Sequence, residues 1–255
     1  MAHTFRSLET LYEDDSIIIV NKPSGLLTIP DRYDSSKENL YSILKDHFGD
    51  ILIVHRLDKD TSGAIVFAKT VEAHRTLCIA FEERKTEKRY LAIISGIPRE
   101  KTGVIELCIA ESPAGKGMMM VSKKGKEAVT EYTVIESFND FSLVEAKLIT
   151  GRTHQIRVHF AAIGFPLAVD TMYGKREKLF LSEIKRSYRG TKDIEERPLL
   201  TRTSLHSWKL VIPHPVSNAP INVEAPLPKD LNAVISQLRK NGKNRVRKQH
   251  QSSPE

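Results

Sequence analysis

Only two cysteines occur in the 255 residues, Cys78 and Cys108, far apart and outside any CxxC spacing. Neither a disulfide framework nor a cysteine zinc site fits that count, and a reducing compartment does. No apolar run approaches the roughly 20 residues needed to cross a bilayer. The N-terminal MAHTFRSLETLYEDD has no hydrophobic segment and carries acids, so it does not read as a secretory signal. The cytoplasm is the expected compartment, with no membrane contact. Internal repeats and low-complexity linkers are missing as well. The GxxxxGK[ST] phosphate loop is absent too, and Gly115-Lys116-Gly117 is only a scrap of it. His154 and His159 are five residues apart, off any common helix face and without a third ligand nearby, so zinc is not expected.

What is present is ordinary for a globular chain: 40% hydrophobic and 28% charged residues, with length enough for a sizeable core. The net charge of +7 is uneven. Residues 239–255 hold six Lys/Arg and one Glu, which leaves the rest of the chain near balance. This basic segment has almost no apolar content and is expected to be a disordered tail. It either attracts phosphates without sequence preference or merely keeps the chain in solution.

The apolar pattern gives the elements. Residues 17–20 read as a strand, closed by the turn Asn21-Lys22-Pro23-Ser24-Gly25. Residues 39–48 carry Leu40, Ile43 and Leu44 at helical spacing. Thr70 is an N-cap for a helix over 71–84. The charge run 83–89 reads as a solvated face, and a strand follows over 90–94. Strands at 104–107, 118–121, 128–135 and 141–148, joined by short turns, argue for antiparallel meanders. Ile156, Phe160 and Ile163 form the apolar stripe of a helix that Gly164 caps. Arg157, one step off that stripe, points along the edge of the core. Residues 175–202, with nine Lys/Arg and five acids, form a basic excursion made of a helix and a loop. A strand over 204–212 follows. The PHP and APLP segments then cross the surface, and a short helix closes at 230–238. One continuous domain over 10–238 is the simplest organisation.

One stretch organises the rest: residues 55–69, HRLDKDTSGAIVFAK. An acid beside a basic pair stands there at the mouth of a buried strand, 64–68. On local pattern this is either a catalytic carboxylate or a salt-bridged turn. Three further places are marked: Lys88-Arg89-Tyr90, then Gly151-Arg152-Thr153-His154-Gln155-Ile156-Arg157-Val158-His159, then Leu205-His206. Together with His55-Arg56-Leu57-Asp58 and Thr61-Ser62-Gly63, their order and spacing resemble the RluA-type family of RNA pseudouridine synthases. Asn21-Lys22-Pro23-Ser24-Gly25, Asp170 with Tyr173-Gly174, and Ala225-Pro226-Leu227-Pro228 agree, so the resemblance extends over residues 10–232.

The resemblance implies an α+β fold, a mixed, mostly antiparallel sheet with flanking helices and a central active-site cleft. It implies the catalytic domain alone, since its first strand begins near Ser16 and leaves no room for the S4 domain that many relatives carry ahead of it. The implied activity is isomerisation of uridine within rRNA or tRNA, with no cofactor and no metal, by a monomer whose partner is an RNA stem-loop. Asp58 matches the essential carboxylate, which either attacks C1′ or takes a proton from C2′. Arg157 matches its basic partner and Tyr90 the active-site tyrosine, able to stack on uracil or assist proton transfer. Leu205 matches an apolar residue against the base. Arg56 is a candidate to fill the stack vacated by the extruded uridine. Arg152 and His154 are candidates for backbone contacts, and His55 for orienting the Asp58 loop. Two other classes remain: a non-catalytic RNA-binding or ribosome-assembly protein of the same fold, and a metal-dependent hydrolase using His55, Asp58, Asp60 and the later histidines.

Overall fold

Period-two burial dominates the molecule. In Ile17–Lys22 the apolar run is buried on both sides, so Ile18 and Val20 pack on one face of a sheet and Ile17 and Ile19 on the other. The computed structural model describes residues 3–115, 117–185, 187–189 and 195–242. Its strands are β1 (Glu9–Glu13), β2 (Ile17–Lys22), β3 (Leu52–Ile53), β4 (Ser62–Ala68), β5 (Glu87–Ser95), β6 (Thr102–Glu106), β7 (Ile109–Glu111), β8 (Met119–Val121), β9 (Val129–Ser137), β10 (Phe141–Leu148), β11 (Leu205–Pro213) and β12 (Pro220–Glu224). The helices are α1 (Leu40–Phe48), α2 (Val71–Glu82), α3 (Gln155–Ala162), α4 (Leu181–Ile184) and α5 (Lys229–Asn241).

Ten of the strands form a single sheet. Its main path runs β1-β2-β4-β11-β5-β10-β9-β6, with β12 beside β11 and β3 beside β4; β7 and β8 form a separate hairpin. All pairings are antiparallel except β4 with β11. That parallel contact, His206 opposite Ser62 and Ser207 opposite Gly63, joins the two antiparallel halves. α1 and α3 pack on one face with Ile18, Val20, Tyr90, Val144 and Leu205. α2 and α5 cover the other, against Ile17, Val66 and Leu210 and against Ile93 and Leu143 respectively. This is the mixed α+β architecture expected, with helices on both sides.

Caps explain where the helices begin. Asn39 accepts from Ser42 N–H and Thr70 from Ala73 N–H, each satisfying a free donor of the first turn. The other departures from the sequence reading have local causes. β5 begins at Glu87, not at residue 90, because the charge run splits between two faces. Arg89 pairs with Glu87 and Glu145 on the outer face, while Lys88 turns inward. Residues 220–224 are a strand rather than a surface crossing: Ile221 and Val223 are buried between exposed neighbours, and Pro220 stands at the strand's first position, where it is tolerated. β1, β3 and β7 were too short or too polar to be read from the pattern. α5 runs on to Asn241, with Arg239 paired to Glu136, so residues 239–241 are a last helical turn and not tail. The rest of the basic tail lies outside the described residues. Within 175–202 the helix is the single turn of α4, and residues 186 and 190–194 also lie outside the described residues.

Gly63 is the pivot of the parallel contact. Its φ is +117°, and a Cβ there would come within 2.1 Å of the Ser207 carbonyl oxygen. Gly63→Ala is therefore expected to cost about 3–5 kcal/mol, through backbone strain and separation of β4 from β11. Urea denaturation of the variant, compared with wild type, measures it.

Candidate active site

The loop between β3 and β4 is fixed by backbone carbonyls and one buried lysine. Lys22, at the end of β2, is fully buried, and its ammonium donates to the carbonyls of Pro23, Leu26 and Lys59 at 3.0, 2.6 and 2.9 Å. Burial pushes it down to about 7, against the pull of Asp60 and Asp58. Three acceptors call for three N–H hydrogens, which only the protonated amine has. Ser24 Oγ donates to the Asp60 carbonyl, Gly25 N–H to the Lys59 carbonyl and Thr28 Oγ1 to the Leu57 carbonyl. The Asn21–Gly25 turn thus holds residues 57–60 from below, and Asp58 projects from that loop into a cavity of about 580 Å³.

The opposite wall comes from α3. His154, its N-cap, has φ +55°, a left-handed conformation that is uncommon outside glycine. It turns the chain sharply after β10. Gln155 anchors the turn, accepting from Arg152 N–H and Thr150 Oγ1 and donating to Val129 O and Thr130 Oγ1. The first turn of α3 then presents Arg157 to two carboxylates. Its Nε and Nη2 meet Asp170 at 2.7 and 2.9 Å, and its Nη1 meets Asp58 Oδ2 at 3.3 Å. Burial opposes the charge on Arg157, but Asp170 and then Asp58 outweigh it and hold the guanidinium protonated. Burial likewise opposes the charge on Asp170. The Arg157 pair and the N–H groups of Met172 and Tyr173 overcome that and keep its carboxyl below the usual range. The Tyr173 ring covers the guanidinium, 5.0 Å from its centroid.

His154 Nε2 is 3.7 Å from the same Asp58 oxygen, and its Nδ1 is 2.8 Å from the Tyr173 hydroxyl. Burial lowers its pKa, so the ring is neutral at neutral pH. Both contacts of Asp58 are made through Oδ2. Among the described residues Oδ1 has no hydrogen-bond partner. One oxygen is held and the other is without a partner on a side chain that lines the cavity, an arrangement suited to a carboxylate that must reach a substrate atom.

Tyr90, on β5, and Leu205, at the start of β11, are buried and line the same cavity. Burial pushes the Tyr90 hydroxyl up to about 12, with a Ser207 hydrogen bond acting the other way and Asp58 adding to the rise. Arg56 is exposed at the rim and donates to Thr153 Oγ1 at 3.1 Å, not to Asp60. Arg152 donates to the Glu127 carbonyl, also on the cavity wall side of α3. His55 accepts from Val66 N–H and stacks on Phe81. Burial, then the charge of Lys88, push it down to about 3. His159 is a buried structural group bonded to Thr130 and Leu107. The seven residues singled out in the sequence therefore border one cavity. Lys22, Asp170 and Tyr173 lie in the stretches that agree with the resemblance, but their sequence assigns them no role. Among the described residues, no three His, Cys, Asp or Glu side chains group as metal ligands.

Residues 16–162, from β2 through α3, match the family described as RNA pseudouridylate synthase. The chain belongs to that family. It is 39% identical over 238 residues to ribosomal large subunit pseudouridine synthase D of Nitrosomonas europaea, a match covering 91% of this chain and 65% of that protein. It is 36% identical over 244 residues to the uncharacterized RNA pseudouridine synthase YlyB of Bacillus subtilis, covering 92% of this chain and 74% of that one. The chain thus spans about two thirds of the first relative's length. Among solved structures, human RNA pseudouridylate synthase domain containing 4 superposes with a TM-score of 0.70 at 26% identity, over 91% of this chain and 93% of that one. Family membership bears out the fold and the RluA-type resemblance read from the motifs.

Asp170 tests the electrostatics of this pseudouridylate synthase fold. Asp170→Asn leaves Arg157 without its bidentate partner and is expected to lower stability at pH 7 by about 3 kcal/mol. The wild-type carboxyl is held below its ordinary 3.8, so its contribution is present above about pH 4 and fades as pH falls. Urea titrations at pH 7 and at successive steps below pH 4 should show a wide gap between the two proteins that begins to narrow only below about pH 4 and keeps closing as pH falls further.

Proposed function

We propose that the chain isomerises uridine to pseudouridine within large-subunit ribosomal RNA, with Asp58 as the essential carboxylate. The observation that carries this reading is the Asp58 side chain, pinned on one oxygen by Arg157, without a partner on the other, and lining the same cavity as Tyr90 and Leu205. The RNA assignment is supported by relatives named as ribosomal large subunit enzymes.

The reaction breaks N1–C1′ and forms C5–C1′. C5 gives up a proton and N1 gains one, so nothing is added and no redox change occurs. Asp58 Oδ1 is the atom free to act on the ribose, at C1′ or at the C2′ hydrogen. Arg157 keeps the acting carboxylate oriented in a partly dry site, a task that Asp170 makes possible by fixing the guanidinium plane. Tyr90 offers a ring for the uracil to lie against and a phenol that stays protonated at neutral pH. A stacked uridine must leave its helix to enter, at a cost of a few kcal/mol that cavity contacts offset. Arg56, at the rim, is positioned to stack where the base has left.

Tritium release from transcribed large-subunit rRNA carrying C5-tritiated uridine tests the assignment. Wild type should release tritium, and Asp58→Asn should be slower by more than about a thousandfold. No release by folded wild type, or equal release by both, would overturn the reading. The Tyr90 phenol titrates near 12. Single-turnover rates should therefore show no alkaline inflection from Tyr90 between about pH 7 and pH 10.

A further inference from the structure

Most cations around the cavity have protein partners. Arg157 is shared by Asp58 and Asp170, and Arg56 donates to Thr153. Arg84 and Arg152 both reach Glu127, the first its carboxylate at 3.2 Å and the second its carbonyl at 2.9 Å. Lys88 differs. Among the described residues its ammonium makes no hydrogen bond and no ion pair. The residue is nevertheless only 9% exposed. Its Nζ lies 5.4 Å from the centroid of the Phe81 ring. The neighbouring charge that acts on it is Arg84, of the same sign, and burial and Arg84 together lower its pKa.

The stem of Lys88 is buried while its Nζ stays accessible, since among the described residues Thr86 Oγ1 is the one buried side-chain polar atom without a partner; an unpaired, half-desolvated charge of this kind contributes nothing to the fold. Lys88 also faces a specific place. Alternation along β5 puts it on the same side as Tyr90, and both line the cavity. The cover over it is missing by one side chain: a Cβ on Gly151 would sit 3.9 Å from Nζ. The glycine leaves the ammonium open to what enters.

We propose that Lys88 is an anion site for the RNA, binding a backbone phosphate beside the nucleotide that occupies the cavity. The inference rests on the RNA reading above and deepens it. A phosphodiester is the anion that such a substrate brings wherever its base goes, and an ammonium supplies the charge-assisted donors it needs. Arg84 and Arg152, converging on Glu127 at the same wall, extend the positive surface along which the strand leaves. The cavity, at about 580 Å³, falls within the range of sites that enclose a whole small ligand, phosphate included.

The test compares wild type, Lys88→Met and Lys88→Arg in three assays: thermal unfolding, binding of transcribed large-subunit rRNA from 50 to 200 mM KCl, and tritium release. Lys88→Met should melt at or above the wild-type temperature, because it removes an uncompensated charge. It should bind roughly tenfold more weakly at 100 mM KCl, with a salt slope smaller by about one. Lys88→Arg should keep the slope. Unchanged affinity and slope in Lys88→Met would overturn the proposal, as would a lower melting temperature with an unchanged slope.

A measurement on the unmodified protein needs no variant that folds. The Lys88 side-chain carbon resonance, in 13C-lysine-labelled protein, should move on adding the trinucleotide UpUpU and not on adding uridine. A response to neither, or an equal response to both, would also overturn it. Failure of the two readings is separable. Loss of slope in Lys88→Met with no tritium released by wild type leaves the phosphate site standing without the isomerase. Tritium release with identical binding by all three proteins does the reverse.

Discussion

Everything at the site hangs on one guanidinium shared between two carboxylates. Arg157 spends Nε and Nη2 on Asp170 and has Nη1 left for Asp58. The bidentate pair fixes the plane, so the direction of the third N–H is no longer free. Asp170 is itself bound by the N–H groups of Met172 and Tyr173, and the Tyr173 hydroxyl reaches back to His154. The short segment from Asp170 to Tyr173 therefore sets two of the groups that touch Asp58. A lysine in place of Arg157 would keep the charge and lose the geometry.

The carboxylate's own loop is held by a different device. Lys22 binds carbonyl oxygens, not an acid, and it does so with no exposure to water. A buried cation solvated by main-chain oxygens behaves like a metal ion in a carbonyl cage: it fixes backbone, not side chains. Asp58 is thus positioned from one side by a clamp on its loop and from the other by a fork on its oxygen. Both come from segments far apart in the chain, which meet because the sheet brings β2, β4, β11, β5 and β10 side by side.

Much of this was legible in the sequence, for physical reasons that can be named. The central strands are continuous apolar runs with turn residues at their ends, and α1 and α2 carry side-chain caps, so those elements announce themselves. Asp58, Tyr90 and Arg157 lie in polar clusters beside strands and a helix start, and the resemblance of those clusters to a known family is what singles them out. Partners were harder. Asp170 is a lone acid, and only its bidentate contact in three dimensions reveals what it holds. Lys22 looks like a turn lysine, since sequence does not report that its ammonium is enclosed. The same blindness hid Lys88: in EERKTEKR every residue looks solvated, and the alternation of a strand that begins inside the run is invisible until its pairing with β10 and β11 is known. β12 is concealed by Pro220 and the prolines of the flanking segments, although Ile221 and Val223 keep the period of two.

The parallel contact of β11 with β4 carries a consequence for how the chain is made. Ser62 and His206 are 144 residues apart, yet they are neighbours at the centre of the sheet. At a synthesis rate of about 5–20 residues per second, β4 waits about 7–30 s, and β5 somewhat less, for the strand that joins them. Through that interval each antiparallel half presents an open edge where the finished protein has its middle, and Asp58 and Arg157 belong to halves that nothing yet joins side by side. The nascent chain has to keep two sticky edges apart until β11 arrives. Arrival of β11 then closes the sheet and brings Leu205 to the cavity in one step.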